Sequence, residues 1–211
     1  MKVLIDNGHG LDTKGKCSPH VIGTGISGEA VIDGRFREAM YSRLVAKGIV
    51  AGLKGSGIDA ELLTPENWDV SLQARVYRAN QWCKKLGPEN VLVVSIHTNA
   101  SGDGEHWMPG HGWEIYTSKG RTKSDEAATC IGEAAKSLAP DWKMRFDYSD
   151  GDLDKEAAYY ILTKTRCPAV LSENGFHDNL DDVRLMTSAE GLALIVEAHV
   201  KGIAAYVEKN A

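Results

Sequence analysis

The sequence predicts an α/β fold: a single three-layer domain over residues 1–211, with a mainly parallel, mixed twisted sheet and helices on both faces. Three observations carry this expectation. Short, continuously apolar runs bounded by turn residues read as strands buried on both faces. They alternate with longer segments whose apolar residues recur at helical spacing, the sign of helices laid over a parallel sheet. The composition, 43% hydrophobic and 25% charged over 211 residues, supports one core and shows no repeat, linker or low-complexity stretch.

The elements follow in order. Val3–Ile5 is a strand that stops at Asp6-Asn7-Gly8-His9-Gly10. From Glu38 to Leu53 the apolar positions Met40, Tyr41, Leu44, Val45, Ile49, Val50 and Leu53 mark a helix, closed by Gly55-Ser56-Gly57. Ala60–Thr64 is a second strand, and Ser71–Leu86 a helix striped by Leu72, Val76, Ala79, Trp82 and Cys83. Asn90–Ile96 is the strongest strand, and Trp113–Tyr116 another. A helix over Ser124–Leu138, a strand over Ala169–Ser172 and a closing helix over Ala189–Val207 complete the pattern. Leu11–Arg37 and Ser101–Gly112 are too long and polar for ordinary connections and read as functional loops; the acidic stretch Asp147–Asp154 is similar.

Several function classes are disfavoured at once. A formal net charge of -5 argues against a nucleic-acid binder, because neutralising phosphates requires a basic surface. No apolar run approaches the length of a membrane span. Asp6 ends the first apolar run too early for a signal-peptide core, so no export signal is expected. The four cysteines (Cys17, Cys83, Cys130, Cys167) are scattered without a C-x-x-C, and inert thiols are expected. The string Gly23-Thr24-Gly25-Ile26-Ser27-Gly28 matches G-x-G-x-x-G but lacks the flanking strand and helix of a dinucleotide site, so it reads as loop.

In open parallel sheets, ligands gather beyond the carboxyl ends of the strands. That rule selects His9 after the first strand, His97 after the strongest, and Glu173 after Ala169–Ser172. Two imidazoles and a carboxylate suit zinc, which in catalytic sites takes three protein ligands and a water. Glu38 is the preferred third ligand because it opens the first helix near the strand ends; Glu29 and Asp33 are the alternatives. Glu173 is assigned off the metal, as a base for water. His177 follows Gly175-Phe176 closely enough to reach the cleft, whereas His20 and His199 look incidental and His106 and His111 read as solvated loop residues. Trp68, Trp107 and Trp142 can stack on sugars, although packing is their ordinary use.

Three ordered motifs then resemble one family across almost the whole chain. Val3-Leu4-Ile5-Asp6-Asn7-Gly8-His9-Gly10, Ser95-Ile96-His97-Thr98-Asn99-Ala100 and Pro168-Ala169-Val170-Leu171-Ser172-Glu173-Asn174-Gly175-Phe176 resemble the zinc-dependent N-acetylmuramoyl-L-alanine amidases of the amidase 3 family. The resemblance implies a Zn2+ cofactor held by His9, Glu38 and His97, Glu173 as the catalytic carboxylate, and hydrolysis of the amide joining N-acetylmuramic acid to L-alanine in peptidoglycan. Asp6 or Asn99 is expected to orient a ligand imidazole, with His177 steadying a ligand or the substrate. Departures from the pattern are Leu11 in place of a second glycine, Asn174 after the glutamate, and His177 at a usually apolar position. A monomer acting on the cell wall is expected, either a phage or mobile-element lysin or a bacterial remodelling enzyme without its leader. The competing readings are a zinc carboxypeptidase or peptide amidase, and a non-catalytic wall-binding module on the same fold. The second is disfavoured because both histidines and both glutamates are present.

Overall fold

The computed structural model describes residues 1–211. The chain opens with strand β1 (Lys2–Asp6), every residue of which is buried. It pairs in parallel with β5 (Asp59–Leu62) on one side and β6 (Val91–Asn99) on the other. Strand β9 (Ala169–Phe176) joins β6 in parallel, β7 (Trp113–Thr117) joins β9 antiparallel, and the short β8 (Lys155–Glu156) closes the edge beside β7. The order is β5-β1-β6-β9-β7-β8, a mixed six-stranded sheet.

Alternate side chains of the central strands feed two cores. Val3, Ile5, Leu92, Val94, Ile96 and Val170 join a cluster of 29 buried residues beneath helices α1 (Glu38–Gly55), α3 (Lys123–Leu138) and α6 (Ala189–Lys209). Leu4, Val91, Val93, Ala169 and Leu171 point the other way, into a smaller cluster of 12 with α2 (Leu72–Leu86) and the short α4 (Tyr160–Lys164). That period-2 alternation, with both faces apolar, is why these strands read as continuous hydrophobic runs. Helix α5 (Leu180–Thr187) links β9 to α6. No helix is long and apolar enough to cross a membrane.

The expected strands and long helices are present, but the two strands that carry His97 and Glu173 run further than apolar character suggested. β6 continues through His97 to Asn99, and β9 through Glu173 to Phe176, so these side chains project from paired backbone. The Leu11–Arg37 excursion holds a small antiparallel sheet of β2 (Cys17–His20), β3 (Val31–Ile32) and β4 (Arg35–Arg37), in the order β2-β4-β3. It is pinned by Phe36, fully buried against Tyr41, and by Arg35, which donates to the Ser18 and Gly104 carbonyls. Gly23–Gly28 lies in turns within that excursion and opens no helix.

Candidate metal centre and catalytic cleft

Three chain segments meet at the carboxyl ends of β1, β6 and β9. Beyond β1 the chain turns at Gly8, whose φ of 61° is open to glycine; a Cβ there would lie 2.8 Å from the Ile96 carbonyl and 3.1 Å from the His97 ring. The missing side chain lets the His9 segment press against β6. Arg43 of α1 donates to the His9 carbonyl at 2.5 Å, fixing the segment from the other side.

Glu38 is the first residue of α1, where an acidic side chain sits well in the field of the helix N-terminus. Its backbone N–H donates to Lys16 O at 3.1 Å, tying the start of the helix to the residue that precedes β2. The side chain is 1% exposed. Oε1 accepts from the Thr98 backbone N–H at 3.1 Å and lies 3.0 Å from His97 Nδ1. Oε2 lies 3.7 Å from His9 Nε2 and 3.9 Å from His177 Nδ1 and has no hydrogen-bond partner. Glu29 and Asp33 are both exposed in the preceding excursion, which leaves Glu38 as the carboxylate that reaches the histidines.

His9, Glu38 and His97 each turn one donor atom toward a common point, all within 4.8 Å of one another. The two imidazoles meet edge to face with centroids 5.1 Å apart. Two neutral-capable nitrogens, one anionic oxygen and a buried, unpartnered Glu38 Oε2 are a donor set that fits a zinc-type cation. Burial alone would raise the Glu38 pKa, yet the His97 hydrogen bond and the nearby imidazoles bring it down to about 2. Desolvation lowers His9 to about 4, so its ring is neutral at pH 7 and free to offer a lone pair. His97 moves upward, because the Glu38 partner outweighs its desolvation.

Glu173 stands beside this set, its backbone in register with His97 on β6 and Glu114 on β7. Its Oε2 is buried without a partner, and desolvation, with the Glu38 and Glu114 charges adding, lifts its pKa to about 8. The side chains share a cleft of about 630 Å³ that also includes Lys16, Asn99, Tyr159, Tyr160 and His177 in its lining.

Two supporting roles differ from expectation. Neither Asp6 nor Asn99 reaches an imidazole nitrogen. Asp6 instead accepts from Ser95 Oγ at 2.7 Å, Thr64 Oγ1 at 3.1 Å and Arg75 Nη1 at 2.5 Å, locking β1 to β6 beneath the site. Asn99 donates to Glu114 Oε2 at 3.2 Å, and its Oδ1 accepts from the Ala100 N–H. His177, 2% exposed, meets Thr98 Oγ1 at 3.0 Å and so stands behind Glu38. Thr98, Arg75 and Glu114 escaped the sequence reading. Glu114 binds Tyr116, Arg145 and Lys155, and a lone charged residue in an apolar strand was the one signal that marked it. His199 is fully buried between Ser172 Oγ and Ile195 O rather than incidental, while His106 and His111 are exposed in their loop. Trp142 donates to Asp182 as a packing residue, and Trp68 is 63% exposed outside the cleft lining.

Comparison with known proteins agrees with this geometry. Residues 3–205 match the family Amidase_3, described as N-acetylmuramoyl-L-alanine amidase. The chain is 25% identical over 205 residues to the sporulation-specific N-acetylmuramoyl-L-alanine amidase of Bacillus subtilis (strain 168), covering 96% of this chain and 67% of that protein. It is 34% identical over 115 residues to the endolysin of Bacillus phage SPP1, covering 54% of this chain and 39% of that one. Among solved structures, the N-acetylmuramoyl-L-alanine amidase from Clostridium difficile 630 superposes with a TM-score of 0.79 at 23% identity, covering 100% of this chain and 98% of that chain.

Proposed function

This chain belongs to the Amidase_3 family of N-acetylmuramoyl-L-alanine amidases, and from that premise we propose that its cleft uses zinc, held by His9, Glu38 and His97, to cleave the peptidoglycan amide with Glu173 as the proton-transfer group. The chain is a hydrolase of the bond between N-acetylmuramic acid and L-alanine, and its substrate is the cell wall. All of residues 1–211 are read as one catalytic domain acting as a monomer at the wall.

One observation carries the reading of the site: a buried carboxylate, Glu38, sits between two histidines with one oxygen unpartnered, and a second buried, unpartnered carboxylate, Glu173, stands in the same cleft. Bound there, zinc would supply Lewis-acid polarisation of the scissile carbonyl and a water acidified to a pKa of about 7. Glu38 holds its charge because three imidazoles surround it, and the Thr98 N–H hydrogen bond to Oε1 restricts its rotation. Glu173 has a proton affinity near neutrality, so Oε2 can take a proton from the attacking water and return it to the departing alanine nitrogen. Tyr159 and Tyr160 line the same cleft as Glu173.

The test is metal analysis joined to mass spectrometry of peptidoglycan digests. Amidase action releases intact stem peptides with a new L-alanine amine, whereas a carboxypeptidase shortens them from the other end. Glu173→Gln should keep its zinc and lose about 10²–10⁴-fold in turnover. Near-normal turnover in that variant would remove Glu173 from the proton-transfer role.

A further inference from the structure

Outside the cleft, the acidic stretch Asp147–Asp154 has no part in the reaction above, yet it is not a plainly solvated loop. Asp154 immediately precedes β8 and is 3% exposed. Its Oδ2 accepts from Thr117 Oγ1 of β7 at 2.6 Å. Its Oδ1 is buried with no hydrogen-bond partner, and the same is true of Asp152 Oδ1. The Asp152 carboxyl lies close enough to oppose ionisation of Asp154, and Asp125 in the first turn of α3 adds a further negative charge. Burial and these neighbours push the Asp154 pKa up to about 7. The loop is held in place by the Asp147 N–H to Leu153 O bond at 3.2 Å and by Leu153, which packs over Gly132 of α3. Arg121 passes beside Gly151, yet its guanidinium satisfies neither orphaned oxygen.

A carboxylate oxygen taken out of water without a donor is costly, and two of them turned on each other cost more. A cation between them relieves both penalties at once. We infer that Asp152 and Asp154, on the floor set by Thr117, bind a hard divalent cation of the calcium class that clamps the Asp147–Asp154 loop to the edge of the sheet. All the available donors are oxygens, with no imidazole or thiolate, which separates this site chemically from the histidine centre. Two carboxylates leave most of the coordination to water and backbone carbonyls, so the affinity falls in the range of extracellular modules, with a Kd of about 10⁻⁴–10⁻³ M.

The experiment is thermal denaturation of the zinc-loaded full chain in chelator-treated buffer near neutral pH, with CaCl2 titrated to about 10 mM. The expected result is a saturable rise in Tm of about 3–5 °C. The rise should be absent in Asp152→Asn and in Asp154→Asn, while Asp154→Asn without calcium melts no lower than the wild type because the repulsion is gone. Asp152, less buried than Asp154, provides the variant least exposed to a folding defect. A Tm flat across the titration would leave the pair without a cation and overturn the inference. An equal rise in the wild type and both variants, reporting cations bound elsewhere, would overturn it as well.

Discussion

Replacing Arg75 with Met should destabilise the protein more than any other single change beneath the catalytic cleft. Arg75 and Asp6 are each 3% exposed at the side chain, and the guanidinium supplies the sole charged donor to the Asp6 carboxylate. It also donates to Val70 O at 2.8 Å and Asp69 Oδ1 at 3.1 Å. Arg75→Met leaves Asp6 with only the Ser95 and Thr64 hydroxyls. Breaking a buried pair from one side costs about 3–5 kcal/mol, because the surviving charge remains out of water. For a chain of this size that lowers Tm on the order of 10 °C. Asp6→Asn/Arg75→Met removes both charges, so its loss should fall short of the sum of the single losses by about 2 kcal/mol or more. Urea unfolding of the four proteins closes the cycle. Since Asp6 lies three residues before His9 and Ser95 two before His97, Arg75→Met should also lose amidase turnover below its melting point. Additivity within about 0.5 kcal/mol would refute the claim that this network is one electrostatic unit.

Other predictions follow from single contacts. Glu38→Gln keeps the shape of the side chain but not its charge, and should weaken zinc binding at least about tenfold in chelator competition; unchanged affinity would take Glu38 out of the donor set. His199 is buried neutral with a pKa of about 4, below the unfolded value of 6.5, so the unfolded chain takes the proton first. Its contribution is whole above the unfolded value and is lost as pH falls toward 4, worth about 3 kcal/mol, and His199→Leu should flatten that limb of a urea-stability profile. In Gly202→Ala the new Cβ would sit 2.4 Å from Ile131 Cα and 2.7 Å from Cys130 O, both backbone. Helices α3 and α6 must then separate, at a cost of about 1–3 kcal/mol read as a lower Tm with turnover preserved in the surviving fold.

Much of this protein was legible as local pattern. The strands at Val3–Ile5, Asn90–Ile96 and Ala169–Ser172 announced themselves because a strand buried on both faces admits few polar residues, and each polar residue closing such a run marked the cleft. The expanded loops were legible as loops but not as structure. Two- to four-residue strands such as β2 to β4 depend on pairing partners distant in sequence and carry no period of their own.

Sequence by itself determined which residue types stand at the ends of which strands, and through them the family and the chemistry on offer. Tertiary structure decided the partners. It gave Asp6 to Arg75 and Ser95 instead of an imidazole, placed His177 behind Glu38, set Glu114 opposite Glu173, and buried Asp154 against Thr117. The reason is that strand polarity and apolar period are encoded residue by residue along the chain. A side chain's hydrogen-bond partner depends on register and helix docking, which are settled only when distant segments pack against one another.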